Sequence, residues 1–539
     1  MSDAKYLMTK VMCRIRIISL LCLILVVCAT SSAQTKFNVL TPEDPVFTPL
    51  PDSLKGVVID TVLTDSAIYP GTTRTLQVLV PAKYTGEQPA CLLLGLDGAF
   101  FEALNVVDNL VYKEEVPVMI GVFVNWGKIL DEDGNIVRYN RSNEYDRTDD
   151  RLAQFLEKEV LPFVNTLVTP DGRKVQISDD PDDRAITGSS SSGIAAFNVV
   201  WERPDLFRRI YSSRGTFVAM RGGNELPTII RKTEPKPIRI FLQDGINDTW
   251  NHIFGDWWEQ NQLMDSALNF AGYEYDFKWD RGTHSGFFGK RAYPDALRWL
   301  WRGWPTKVRK GKTMNGMLLS ILPGQDDEGW KYLGEMSDTT SLIPDMNKRT
   351  LSSDELKKTG LKNICSVSRM HNGDIYMSDC DGRLFLQKKG SRKPQKLETL
   401  ATGGSGFAIT PNGKILISSE KNSNWLISYI IAPDGTLKYG QQFYWLHNTD
   451  NHNNTPYGNM QFDTEGNLYV ATPIGVQVCD HNGRVRAILP VPGRKVDFIA
   501  FSGNSLYAVS HGRIYVRILK STGYDSWAEP IEYKSQGAG

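Results

Sequence analysis

The segment Gly188-Ser189-Ser190-Ser191-Ser192-Gly193 lies between the apolar run Arg184-Ala185-Ile186-Thr187 and the helical pattern Ile194-Ala195-Ala196-Phe197-Asn198-Val199-Val200-Trp201. Small residues at a sharp strand-to-helix turn expose a serine hydroxyl at a helix N-terminus, the setting in which serine becomes a covalent nucleophile. Two registers are open. Counting from Gly188 makes Ser190 the nucleophile, with Ser192 replacing the second turn glycine; counting back from Gly193 makes it Ser191. Strand alignment favours Ser190. A flexible Gly/Ser loop is the plainer alternative, but such loops rarely sit between an apolar strand and an apolar helix.

Serine is inert without a base, which should follow the turn, with an acid between the two. Between Gln34 and Pro305 the only histidines are His252 and His284. His284, in the Gly-flanked loop Arg281-Gly282-Thr283-His284-Ser285-Gly286, is assigned as the base; His252 suits packing, capping or cleft lining. Asp248, in Asp244-Gly245-Ile246-Asn247-Asp248, follows the strand Ile238 to Gln243 and is assigned as the acid. Its rival Asp244 suits a structural turn. For a tetrahedral oxyanion the expected donors are the backbone N–H of Ser191 and that of Gly98, in Leu96-Asp97-Gly98-Ala99. Trp250, Trp257, Trp258 and Trp279 lie near the acid and base loops and offer an aromatic wall, although ordinary core explains any one of them as well.

These residues need a sheet to hold them. From Thr73 to about Trp301, strand-like runs alternate with amphipathic helical patterns: 75–80, 90–96, 118–124, 184–187, 209–213, 238–243 and 273–279. Leu152, Phe155, Leu156, Val160 and Phe163 recur at helical spacing, as do Leu263, Ala267, Phe270 and Ala271. The pattern is an α/β sheet with helices on its faces. Lys307, Arg309, Lys310 and Lys312 mark a short basic linker, read as a solvated connector. Beyond it, turn-plus-strand units recur at 372–378, 412–418, 465–471 and 503–509, a spacing of about 40–50 residues that fits one four-stranded propeller blade each. The expected division is a signal peptide at 1–33, an α/β domain at 34–305, a linker at 306–312 and a β-propeller at 313–539.

The 539 residues balance 61 Lys+Arg against 61 Asp+Glu, which provides no electrostatic reason for a nucleic-acid or anionic-membrane partner. Lys5, Lys10, Arg14 and Arg16, the apolar run Ile17 to Ala29 and Ser31-Ser32-Ala33 form a signal-peptide pattern cleaved after Ala33, so the mature protein is expected to be secreted or periplasmic and free of the membrane. Cys91, Cys365, Cys380 and Cys479 remain without metal-ligand spacing; Cys365 and Cys380 are placed for a hairpin bridge, yet read more readily as buried thiols.

With these residues placed, the first domain resembles the enterochelin esterase and feruloyl esterase branch of the α/β-hydrolases. Further strings carrying the likeness are Tyr69-Pro70-Gly71-Thr72-Thr73-Arg74, Asn140-Arg141-Ser142-Asn143-Glu144-Tyr145-Asp146, Trp201-Glu202-Arg203-Pro204-Asp205 and Pro294-Asp295-Ala296-Leu297-Arg298-Trp299. Ser192 stands where the family has a glycine, which threatens crowding between helix and strand. The second domain resembles the gluconolactonase and senescence-marker-protein propeller. That family binds a divalent metal through Glu, Asn and Asp; the matching positions, Ile364-Cys365-Ser366, Gly404-Ser405-Gly406 and Gly458-Asn459-Met460, lack the expected oxygen ligands, so a catalytically degenerate propeller is expected. His447, Asp450 and His452 form a second cluster, read as a surface loop. The resemblance implies a secreted serine esterase, without cofactor or metal, acting on a small-molecule or polysaccharide ester of carbohydrate or hydroxycinnamate type. Two alternatives are a metal-dependent sugar lactonase in the propeller and a non-catalytic carbohydrate-binding protein.

Overall fold

The computed structural model describes residues 43–400, 403–448 and 457–532. The signal-peptide reading of residues 1–33, and Asp450 and His452, lie outside them. No helix among the described residues is long and apolar enough to cross a membrane.

The first domain is built on an eight-stranded mixed sheet: β1 (Val57–Leu63), β2 (Arg74–Val80), β3 (Cys91–Leu96), β4 (Met119–Val124), β5 (Arg184–Ser189), β6 (Arg209–Ser213), β7 (Arg239–Gly245) and β8 (Glu274–Asp280), in the order β1-β2-β4-β3-β5-β6-β7-β8. The first two pairings are antiparallel and the rest parallel. β3 and β4 are buried along their whole length because helices cover both faces. β1 is an addition to the strands expected from sequence; as an edge strand with alternating half-buried residues it carries a weak apolar signal.

Besides the short helical segments between Arg141 and Val164, the helices are α1 (Ala103–Tyr112), α2 (Ser191–Glu202), α3 (Leu226–Lys232), α4 (Trp257–Phe270) and α5 (Gly286–Trp301). Val106, Val107 and Leu110 of α1 share a core with Ala296, Leu297 and Leu300 of α5. Phe197 and Trp201 of α2, Ile229 of α3 and Met264, Ala267 and Leu268 of α4 belong to the second core, with Leu152, Phe155, Leu156 and Val160. The inward face of α4 therefore differs from the expected one, and Leu263 is exposed.

The second domain comprises four four-stranded antiparallel sheets. Each recurrent unit seen in the sequence supplies one second strand: Ile375–Asp379, Ile415–Glu420, Leu468–Thr472 and Ser505–Ser510. The preceding turns place Gly373, Gly413, Gly466 and Gly503 at positive φ, which only glycine adopts without cost. The fourth sheet takes its outer strand, Lys331–Glu335, from the start of the domain, pairing it with Arg513–Ile518 and so tying the two ends together. Cys365 and Cys380 are bridged, with Cα atoms 5.1 Å apart, contrary to the buried-thiol expectation: pairing of their strands brings them side by side. Cys91 and Cys479 are free and buried.

The two domains share a core, since Phe462, Leu468, Val470 and Ile488 join the cluster around Phe197 and Trp201. Within the linker, Val308 is buried and its N–H donates to Asp182 Oδ1 at 2.9 Å, while Lys307, Arg309 and Lys312 are exposed. Glu234, beyond α3, binds Arg517 through two hydrogen bonds of 2.5 and 2.9 Å, and Asp327 holds the same guanidinium at 2.8 Å. Arg517→Ala leaves the buried Glu234 and the partly buried Asp327 without their shared guanidinium, an expected loss of about 3–5 kcal/mol that a denaturant melt reads directly.

Candidate active site

Four loops leave the carboxyl ends of parallel strands on one edge of the sheet, where open α/β folds place ligands. β5 enters the turn at Ser190, which has φ 60° and ψ −124° and no helical geometry of its own. The turn closes only because of glycine: a Cβ on Gly188 would meet Ser192 O at 1.9 Å. Ser190 N–H donates to Ser213 O at 2.9 Å, and Ser190 O accepts from Gly193 and Ile194 N–H, pinning the strained residue from both sides. Ser192 does not crowd the helix. Its buried hydroxyl accepts from Ser189 N–H and donates to Ser189 O, both at 2.8 Å, and so braces the turn.

His284, after β8, directs Nε2 to Ser190 Oγ at 2.8 Å and Nδ1 to Asp248 Oδ1 at 2.5 Å. The structure thus brings Ser190, His284 and Asp248 into one hydrogen-bonded chain, with the His284 ring 30% exposed and the Asp248 carboxylate covered. The acid and base loops are zipped together, since Ile246 N–H donates to Asp280 O and Asn247 N–H to Gly282 O, each at 3.0 Å. A buried relay missed in the sequence steadies them: Ser213 Oγ to Gln243 Oε1 at 2.5 Å, Gln243 Nε2 to Asp280 Oδ2 at 2.8 Å, and Gly282 N–H to Asp280 Oδ1 at 2.6 Å.

Asp244 does not touch His284; it lies behind Asp248, fully buried. Burial and the neighbouring Asp248 carboxylate push its carboxyl well above the usual range, which favours its neutral form. Burial also opposes charge on Asp248, but hydrogen bonds from His284 and Asp244 outweigh it and hold that carboxyl below the usual range. Oδ2 of each aspartate otherwise has no partner, and a proton held by Asp244 and donated to Asp248 satisfies both.

Of the two amides expected as oxyanion donors, one is engaged within the protein. Ser191 N–H, in the first turn of α2, has no protein acceptor among the described residues, but Gly98 N–H donates to Val124 O at 3.2 Å. The next amide in that loop, Ala99 N–H, has no such acceptor. The loop is held from outside by residues of the family-like strings. Arg74 forks onto Glu144 at 2.7 and 3.0 Å, Asn140 donates to Glu144 at 2.8 Å, and Asp97 N–H reaches Tyr145 Oη at 3.3 Å.

A cleft of about 590 Å³ opens over Ser190 and His284, lined by Asp97, Phe100, Phe101, Glu102, Arg141, Ser189, Arg214, Gly286, Phe287 and Lys290. Its aromatic wall is phenylalanine, not the expected tryptophans. Trp257 packs edge-on against His284 at 5.7 Å and donates to Thr216 Oγ1; Trp279 and Trp258 pack on each other; Trp250, 61% exposed, lies against His252 on a hairpin. The phenylalanines gave no sequence signal, since Phe100 and Phe101 follow an early strand and Phe287 opens a helix. No described propeller residue lines this cleft.

In the propeller, the positions matching the metal-binding family do not fit a divalent cation. Cys365 is bridged, and the Asn459 amide is spent on Ile499, accepting from its N–H and donating to its carbonyl, both at 2.7 Å. Among the described residues no three His, Cys, Asp or Glu side chains gather as a metal site. His447 hydrogen-bonds Lys232 at 2.6 Å, at the contact with the first domain rather than on a surface loop, and burial pushes its pKa down to about 4.

Residues 67–297 match a family model described as "Putative esterase". Among solved structures, a ferulic acid esterase is 19% identical over 46% of this chain and 98% of its own, with a TM-score of 0.35. The enterobactin esterase of Shigella flexneri is 20% identical over 49% of this chain and 63% of its own, at 0.37. A protein described as a "putative gluconolactonase" is 15% identical over 30% of this chain and 61% of its own, at 0.27. This chain thus spans less than two thirds of those last two proteins. No curated protein matches it. Residues 67–297 are thus similar to an esterase family, and that match supports a hydrolase acting on ester bonds.

Proposed function

We propose that this protein is a secreted serine esterase of carbohydrate or hydroxycinnamate esters, with Ser190 as nucleophile, His284 as general base and Asp248 as its orienting acid. The observation that carries the reading is the chain Asp248 Oδ1, His284 Nδ1, His284 Nε2, Ser190 Oγ, closed at 2.5 and 2.8 Å. His284 takes the Ser190 proton as Oγ attacks the ester carbonyl; Asp248 stabilises the imidazolium, which then protonates the leaving alcohol. The amides of Ser191 and Ala99 are the donors free to hold the oxyanion. Water, activated by His284, releases the acid and regenerates Ser190. Phe100, Phe101 and Phe287 supply an apolar wall suited to a sugar or phenolic ring. The Cys365–Cys380 bridge suits the oxidising compartment that a signal peptide implies.

The test is a fluorophosphonate probe followed by mass spectrometry of the digest. The expected result is one adduct, on Ser190, with hydrolysis of p-nitrophenyl acetate and methyl ferulate lost in proportion to labelling and unchanged by EDTA. An adduct on Ser191, or hydrolysis that EDTA abolishes, overturns the reading.

A further inference from the structure

Arg214 is a buried arginine that the mechanism above leaves without a task. It directly follows β6 with φ 47°, a left-handed backbone unusual for a non-glycine residue, fixed by its N–H donating to Gln243 O at 2.6 Å. The side chain turns back toward the nucleophile: Nη2 donates to Ser189 Oγ, and the guanidinium lies 5.9 Å from the Phe101 ring centre. The residue is 5% exposed and lines the same cleft as Ser190 and His284. Nε and Nη1 have no hydrogen-bond partner among the described residues.

Three cationic side chains other than histidine line this cleft, and two are neutralised. Arg141 forks onto Asp97 at 2.8 and 2.6 Å, and Lys290 binds Glu102 at 2.5 Å. Arg214 has no carboxylate within ion-pair distance among the described residues. Of the acids nearest in its field, Asp248 is engaged by His284, Asp244 accepts from Gly245 N–H and lies behind Asp248, and Asp280 is held by Gln243 and Gly282. A buried guanidinium with unused N–H groups is expensive to keep unless something pairs with it. Its planar fork matches a carboxylate.

We propose that Arg214 is an anion subsite of the esterase, so that the ester taken into the cleft carries a carboxylate next to its scissile group. The inference rests on the esterase reading above. The Phe101 ring adjoins the guanidinium, and Arg214 and Phe101 both line the cleft over Ser190. Hydrolysis then yields either a dicarboxylic acid or a hydroxy acid, according to the side of the ester on which the carboxylate lies.

Two matched pairs of esters distinguish the sides. Monomethyl adipate against methyl hexanoate puts the charge on the acyl part; 4-acetoxybenzoate against 4-methylphenyl acetate puts it on the alcohol part. With initial rates by pH-stat, the wild type is expected to favour the charged member of one pair by about tenfold or more in kcat/KM, the worth of a charge-assisted hydrogen bond. Arg214→Gln is expected to reduce that charged-to-neutral ratio at least about tenfold, mainly through KM, and Arg214→Lys to reduce it less. The wild-type ratios stand even if a variant fails to fold. Equal rates within both pairs, or a ratio that Arg214→Gln leaves unchanged, overturn the subsite while leaving the esterase intact. Hydrolysis of none of the four esters overturns the esterase reading and the subsite with it.

Discussion

Ser190→Ala is expected to lower kcat for ester hydrolysis by about 10⁶-fold, whereas Ser191→Ala costs less than about tenfold. The asymmetry follows from the turn. Ser190 Oγ lies 2.8 Å from His284 Nε2, to which its O–H donates, while Ser191 lies within α2, where only its backbone N–H is used and alanine keeps that donor. Initial rates on p-nitrophenyl acetate, with circular dichroism to verify folding, decide between them. Equal losses in the two variants would place the nucleophile elsewhere in the turn. Ser190→Ala removes no structural hydrogen bond beyond a weak 3.4 Å contact with Thr216 Oγ1, so a loss of rate there is chemical.

Asp248→Asn is expected to lower kcat by about 10⁴-fold. The Asn amide donates to His284 Nδ1, forcing the proton onto Nε2, which then has no lone pair for the Ser190 hydroxyl. Asp244→Asn is expected to cost no more than about tenfold, because Asp244 already acts as a neutral donor to Asp248 and an amide N–H can take that part. The same substitution changes stability with pH. The folded Asp244 carboxyl titrates far above its unfolded value of 3.8, so its contribution is full below pH 3.8 and lost as pH rises toward the folded pKa. Asn carries no such loss. Melting curves should therefore show Asp244→Asn gaining on the wild type as pH climbs from 4, and a constant difference would mean that Asp244 is ionised.

Much of this site is written in local patterns. The apolar strand and helix around residues 184–202 leave little room between them for anything but a tight turn, and a domain with two histidines, one beside the candidate acid, narrows the base to His284. The propeller turns are equally local, each a short glycine-bearing turn feeding an alternating strand. Other features depend on atoms far apart in sequence. Gly98 N–H is taken by Val124, in the strand beside its own, so the free amide moves to Ala99. Cys365 and Cys380 become neighbours only through strand pairing. The tryptophans near the loops turned into packing, and phenylalanines from two ends of the domain, Phe101 and Phe287, took the cleft.

By itself the sequence determined the order of strand, turn and helix, the candidate nucleophile, acid and base, and the two-domain plan, because backbone preference and apolar periodicity act over a few residues. Only the tertiary structure decided which amides stay free, which rings face the cleft and that Arg214 is buried without a carboxylate partner among the described residues, because hydrogen-bond satisfaction and burial are settled by neighbours that the chain brings together only on folding.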